Sequence, residues 1–171
     1  MRLKKAFNNN ALLALDDNDE EVIVMGKGIA FGKKSGDLID ESLIQKKFVF
    51  DKSELNEKFS QLFDEIPQQY VELTVSIVEM AQKELDVRFD SSIYLALSDH
   101  ITYAVRRYKK NENLKNALLF EVKKFYPNEF KTALKSLDMI QYETGCIMTE
   151  DEAGYCLLYT SPSPRDGATS R

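Results

Sequence analysis

The chain has 171 residues, 43% of them apolar and 30% charged, with a net charge of −5 at pH 7; this is the profile of an ordinary globular protein of one domain or two small ones. No run nears the ~18 apolar residues of a membrane span, and no charged start with an apolar core marks a signal peptide, so no membrane insertion is expected and the cytoplasm is the expected compartment. The two cysteines, Cys146 and Cys156, have neither metal-ligand nor disulfide-framework spacing, and neither a metal nor a cofactor is expected.

Residues 1–50 read as four short strands, "LKKAF", "ALLALD", "EVIVMG" and "QKKFVF", rich in β-branched and aromatic residues and bounded by turn signals. "DDND" (16–19) between the second and third is a tight acidic hairpin turn, since Asp and Asn tolerate unusual dihedrals. A sheet this small buries little by itself and is marginal unless two copies pack together, so a homodimer is expected. Charge is segregated here. The acids sit in "DDNDEE" and "DLIDE", the bases in "RLKK", "GKG", "GKK" and "QKK", so the net charge averages over unlike surfaces.

Between the third and fourth strands lies "VMGKGIAFGKKSGDLID" (24–40). It is no P-loop: five residues separate Gly26 from Gly32, Gly32-Lys33 is followed by Lys34, and no helical pattern opens behind it. Nor is it a dinucleotide fingerprint, because Gly28 to Gly32 is one residue too long.

From Asp51 the period becomes helical. Ser53 can cap a helix running to about Ile66, and Pro67 starts a second, where its missing N–H costs nothing. That helix should carry Val71, Val75, Val78 and Leu85 on one apolar face. Ser91 or Ser92 caps a third, "IYLALSDHITYAVRRY". "LKNALLFEVKKF" and "PNEFKTALKSLDMIQYETG" supply two more, with Pro127 at the start and Gly145 just past the end. Thr149 and Glu152 form a T-x-x-E capping box for a sixth. The expected architecture is α+β: a four-stranded antiparallel module followed by an all-α helical bundle. The last segment, "CLLYTSPSPRDGATSR" (156–171), is similar to a translated sequencing-library adapter rather than to a protein segment, so the natural chain is expected to be interrupted near Tyr155.

Three features invite chemistry, each with a plainer alternative. Asn8-Asn9-Asn10 is either a polar turn or a set of amides suited to base edges and 2′-hydroxyls. Lys27 sits between two glycines, with Phe31 in the same loop and Lys33 and Lys34 beyond it. Cations interleaved with an aromatic suit single-stranded or bulged RNA, while a Phe in a glycine-rich loop also serves as a core plug. His100 is the only histidine; it lies beside the stripe Ile93, Leu97, Ile101 and Ala104, next to Asp99 and ahead of Arg106 and Arg107. It is either a satisfied core-edge histidine or a nucleophile near neutral pH. Nothing assembles a catalytic constellation, and an enzyme is not expected.

"NNNALLALDDNDEEVIVMGKGIAFGKKSGDLID" resembles the co-antiterminator RNA-binding domain of the BglG/SacY-type bacterial transcriptional antiterminators, and "SDHITYAVRR" and "TEDEAGY" resemble their first PTS-regulation domain. The resemblance spans residues 1–155. It implies an RNA-binding domain over 1–52, a regulation domain cut short over 53–155, and a non-native tail over 156–171. It further implies a dimeric β-module that binds a hairpin in nascent mRNA overlapping a terminator, keeps the terminator from forming and serves a sugar-utilisation operon. By position, the RNA contacts would be Lys5, Asn10, Gly26, Lys27 and Phe31, with Asn8, Asn9, Gly28 and Ala30 nearby. Lys27 stands where Arg is common, which keeps charge but loses the planar fork; Gly32 stands where Gln is usual. His100 would accept phosphate from phosphotransferase-system proteins, the phosphocarrier protein and a sugar permease. The family's second histidine would fall just past "EDEAGY", where Tyr159 stands in the adapter-like tail. The competing reading is a helical signalling domain whose β-module only dimerises.

Overall fold

The computed structural model describes residues 1–49, 53–90 and 92–160. It divides into two compact units, Met1–Gln68 and Gln69–Arg171. The sequence period changes at the start of the first helix, whereas the contacts change at its end.

In the first unit, β1 (Arg2–Asn8), β2 (Ala11–Leu15), β3 (Glu21–Met25) and β4 (Lys46–Val49) form one antiparallel sheet in chain order. The acidic β2–β3 turn forms as its composition dictates. Asp16 Oδ1 accepts the Asn18 and Glu20 N–H groups at 2.8 and 3.0 Å, and Asp19 adopts φ 60°. Those backbone donors hold the Asp16 carboxyl below the usual carboxylate range.

Alternation then builds two faces. Leu3, Leu12, Ala14, Val22 and Val24 pack against Ile29, Ala30 and Ile39 of the long β3–β4 connection. The opposite row pairs Leu13 with Ile23 and Ile23 with Phe48, and it meets α1 (Ser53–Glu65). Phe48 lies 5.5 Å from the Phe59 ring, and Phe7 stacks on Phe63 at 5.0 Å. Both faces of the sheet are therefore covered within one chain. This removes the open apolar face that had been the physical ground for expecting a dimer: the connection and the helix supply the missing layers. The connection also runs beside β1, with Leu3 N–H donating to Asp37 C=O at 2.9 Å and Gly36 N–H to Leu3 C=O at 2.7 Å, so it shields that edge of the sheet.

The second unit holds α2 (Gln68–Leu85, beginning at the unit boundary), α3 (Ser92–Lys109), α4 (Leu119–Phe125), α5 (Pro127–Thr144) and α6 (Glu150–Thr160). Pro127 takes the first position of α5, and Gly145 ends it in the left-handed region at φ 75°, its N–H donating to Gln141 C=O, as both residue types favour. The expected α3 stripe Ile93, Leu97, Ile101 and Ala104 is buried throughout.

Three local expectations are corrected. The α2 core face is Tyr70, Val71, Leu73, Thr74, Ile77, Val78 and Ala81; Val75 and Leu85 lie at its margin, since the buried stripe centres on Leu73 and Ile77. The helix expected from Leu114 begins only at Leu119, because Asn116 Oδ1 takes the Leu118 N–H at 2.9 Å in an Asx turn that competes with helix. At the start of α3, Asp90 Oδ1 accepts the Ser92 N–H at 2.8 Å, so Asp90, not Ser92, supplies the side-chain bond there. Ser91 and the Ser53 side chain lie outside the described residues. No described helix is long and apolar enough to cross a membrane.

Candidate nucleic-acid interface and the buried histidine

The β1–β2 hairpin closes through its asparagines. Asn8 Oδ1 accepts the Asn10 N–H at 2.8 Å, an Asx turn that fixes the reversal. Asn10 then reaches into the glycine-lysine loop: its Oδ1 accepts the Gly28 N–H at 2.7 Å, and its carbonyl accepts the Gly26 N–H at 2.9 Å. The Asn9 carbonyl takes the Ala30 N–H at 3.0 Å. Three bonds thus fasten the loop to the hairpin.

Within the loop the glycines have different tasks. A Cβ on Gly26 would stand 1.9 Å from the Leu43 carbonyl oxygen, so this glycine permits close approach of the chain to itself. Gly28 holds φ +70° with open space around it, a conformation L side chains resist. Ile29 and Ala30 are buried, whereas Phe31 is 72% exposed. The plug of this loop is therefore Ile29 with Ala30, and the core-plug alternative for Phe31 does not hold. Lys27, Lys33 and Lys34 are exposed around it. The outcome is a rigidly seated loop presenting one bare aromatic ring among cations, the pairing that stacking and phosphate neutralisation require.

Asn8, Asn9, Asn10, Gly26, Lys27, Gly28, Ala30 and Phe31 come together at this end of the sheet. Lys5 faces the other way: its row is the one covered by α1, where Nζ donates to Ser60 Oγ at 2.7 Å.

His100 sits on α3 with only 8% of its side chain exposed. Its Nε2 lies 3.4 Å from Glu152 Oε2 on α6, and Arg107 Nη2 donates to Glu152 Oε1 at 2.7 Å. Burial alone would raise the Glu152 carboxyl, but the contacts with His100 and Arg107 and their charges bring it below its ordinary value. Asp99 is exposed, and Arg106 stacks over Tyr103 at 5.8 Å. Of the two arginines, only Arg107 joins the histidine's cluster.

Glu152 is the residue sequence reasoning missed. Its spacing from Thr149 reads as a capping box, yet its side chain points to α3; the box leaves only the Glu152 N–H to Thr149 C=O bond at 3.0 Å. No local signal marks a partner across 45 residues of chain. Burial pushes the neighbouring Cys156 thiol up to about 12, too weakly acidic to supply a reactive thiolate. No cluster able to hold a metal ion occurs among the described residues.

Residues 1–57 match the CAT RNA binding domain family, and residues 75–160 match the PRD domain family. Transcription antiterminator LicT of Bacillus subtilis (strain 168) is 40% identical over 159 residues, which is 93% of this chain and 57% of the relative. The beta-glucoside operon antiterminator of Dickeya chrysanthemi is 35% identical over 93% of this chain and 56% of the relative. The chain thus spans a little over half the length of these curated relatives. Among solved structures, the crystal structure of GlcT CAT-PRDI is similar with a TM-score of 0.82 and 31% identity, covering 93% of this chain and 95% of that one.

Proposed function

Because the chain belongs to the LicT/BglG-type antiterminator family, which joins a CAT RNA-binding domain to a PRD domain, we propose that it binds a hairpin in nascent mRNA and so keeps a transcription terminator from forming. The observation that carries this reading is Phe31, 72% exposed on a loop whose backbone is pinned through Asn10. An unburied ring on a pinned loop that also carries the exposed Lys27, Lys33 and Lys34 would serve as a stacking platform with cations at hand for phosphate. Such a platform reads bulged or looped bases, which a duplex hides. The hairpin's stability in the bound state then competes with the alternative terminator fold. Dimerisation would duplicate this surface.

In this reading Asn9 is the free-standing amide for base edges, while Asn8, Asn10, Gly26 and Gly28 shape the loop. Ala30, being buried, offers only its backbone. Lys5, already hydrogen-bonded to Ser60, is the member that must change partner to meet RNA. The second unit supplies control: His100 accepts phosphate from phosphotransferase-system proteins, and the new charge alters packing around it.

The test is a titration of the chain with a small bulged RNA hairpin and with a fully paired hairpin of the same length, at two salt concentrations. The reading expects tight, salt-dependent binding to the bulged form and much weaker binding to the paired one. Equal binding to both would reduce the loop to a nonspecific cationic patch. The competing reading, a β-module that only dimerises, expects no binding to either hairpin.

A further inference from the structure

Five features dock the first turns of α6, four of them polar, beside the fully buried Ala153. Lys123 Nζ donates to Glu150 at 2.5 Å. Asp151 Oδ1 accepts the Asn116 N–H at 2.8 Å. Glu152 meets His100 and Arg107. Gly154 lies so close to Asn116 that a Cβ there would stand 2.4 Å from Nδ2. Tyr155 Oη donates to the Lys115 carbonyl at 3.0 Å. Bonds of this kind are individually weak in net terms, because water can replace them once the segment lifts. Yet at their centre lies a carboxylate only 10% exposed, covering an imidazole only 8% exposed.

We propose that Glu152, held by Arg107, is the latch over the phosphoacceptor, and that phosphate on His100 releases residues 150–155 of α6 from α3 and from the 115–123 segment. This rests on the reading of His100 as the phosphoacceptor. In the transfer, the P–N or P–S bond of a phosphohistidine or phosphocysteine donor breaks and its leaving atom keeps the electron pair. A P–N bond forms at an unprotonated ring nitrogen of His100. The donor reaches that ring only when Glu152 has swung away, so the latch gates the transfer. Once there, the phosphoryl group brings a charge of roughly −1.5 to −2 next to the seat of the carboxylate. The two anions compete for one guanidinium, and the phosphate offers more acceptor oxygens to its planar fork. Glu152 loses both partners, and the polar anchors beside it lose the contact that aligned them. Glu152 and Arg107 are positioning residues: neither takes the phosphate itself.

The experiment follows amide hydrogen exchange over 150–155, with α2 as internal reference. It is read at the Glu152 amide, bonded to the Thr149 carbonyl, and those after it, since the first amides of a helix lack an intrahelical acceptor. His100→Glu sets a carboxylate in the ring's place, and His100→Gln is its neutral match in size. Exchange over 150–155 should be about tenfold faster or more in His100→Glu than in His100→Gln, as two close anions demand. Adding Glu152→Gln to His100→Glu should restore protection. Equal exchange in the two single variants overturns the latch, as does a loss of protection that extends to α2, because release is local. In a second arm the unaltered chain is phosphorylated with phosphoenolpyruvate and the phosphotransferase proteins. Phosphate on His100 with 150–155 still protected also overturns the latch while leaving phosphoacceptance standing. Charge-dependent loosening in His100→Glu, with no phosphate transferred to His100, upholds the latch and defeats the acceptor reading.

Discussion

Phe31→Ala separates binding from folding more cleanly than any other change in this chain. The ring is 72% exposed and seals nothing, since Ile29 and Ala30 close the loop beneath it. Its removal should therefore alter folding stability by no more than about 0.5 kcal/mol, the usual range for surface positions. If the ring stacks on a base, the same truncation costs about 1–3 kcal/mol of binding, roughly a 5- to 150-fold weaker Kd. No charge is lost, so the slope of log K against log salt should not move. Lys27→Ala is the complementary change and should lower that slope by about 0.7–0.9 if the ammonium neutralises one phosphate. Both variants would be titrated with a bulged hairpin at several salt concentrations, and their urea midpoints measured in parallel. Unchanged affinity in Phe31→Ala would refute the platform; a stability loss above ~1 kcal/mol would show that the ring is part of the fold.

Other positions give different signatures. Gly26→Ala should cost at least about 2 kcal/mol of stability, seen in denaturant titration, because its Cβ would enter the Leu43 carbonyl; a stable variant would mean that the 43–45 backbone yields freely. A fragment ending near Phe50 loses α1 and bares the Leu13, Ile23 and Phe48 face, so it should self-associate in sedimentation at micromolar concentration. A fragment ending at Gln68 keeps that face covered and should show a higher melting temperature. Glu152, whose carboxyl sits below its ordinary value, binds its proton more readily when unfolded. Its contribution is thus complete above the unfolded value of about 4.3 and fades as pH falls through the lower folded value. The melting-temperature gap between the unaltered chain and Glu152→Gln should accordingly close as the pH falls through that acidic range; a gap that widens there on further acidification would reverse the sign.

Residues close in sequence decided much of this protein without help. Short apolar runs bounded by turn signals, "ALLAL" and "EVIVM", make strands, the side chain of Asp16 closes its own turn, and Pro127 and Gly145 bound α5. These effects act over a few residues, where backbone dihedrals and nearest hydrogen bonds settle the energy. Packing decided the rest. Phe31 and Ile29 are both apolar members of one glycine-rich loop, and only the layer beneath them determines which is buried. Asn10 reads as a polar turn until its amide oxygen is seen to hold Gly28, and Lys5 as a free cation until Ser60 arrives beside it. Glu152 satisfies a capping pattern, yet the approach of α6 to α3 gives it a stronger partner in Arg107. Such contacts join residues tens of positions apart, and their free energy depends on how elements pack and exclude water, which no local pattern encodes.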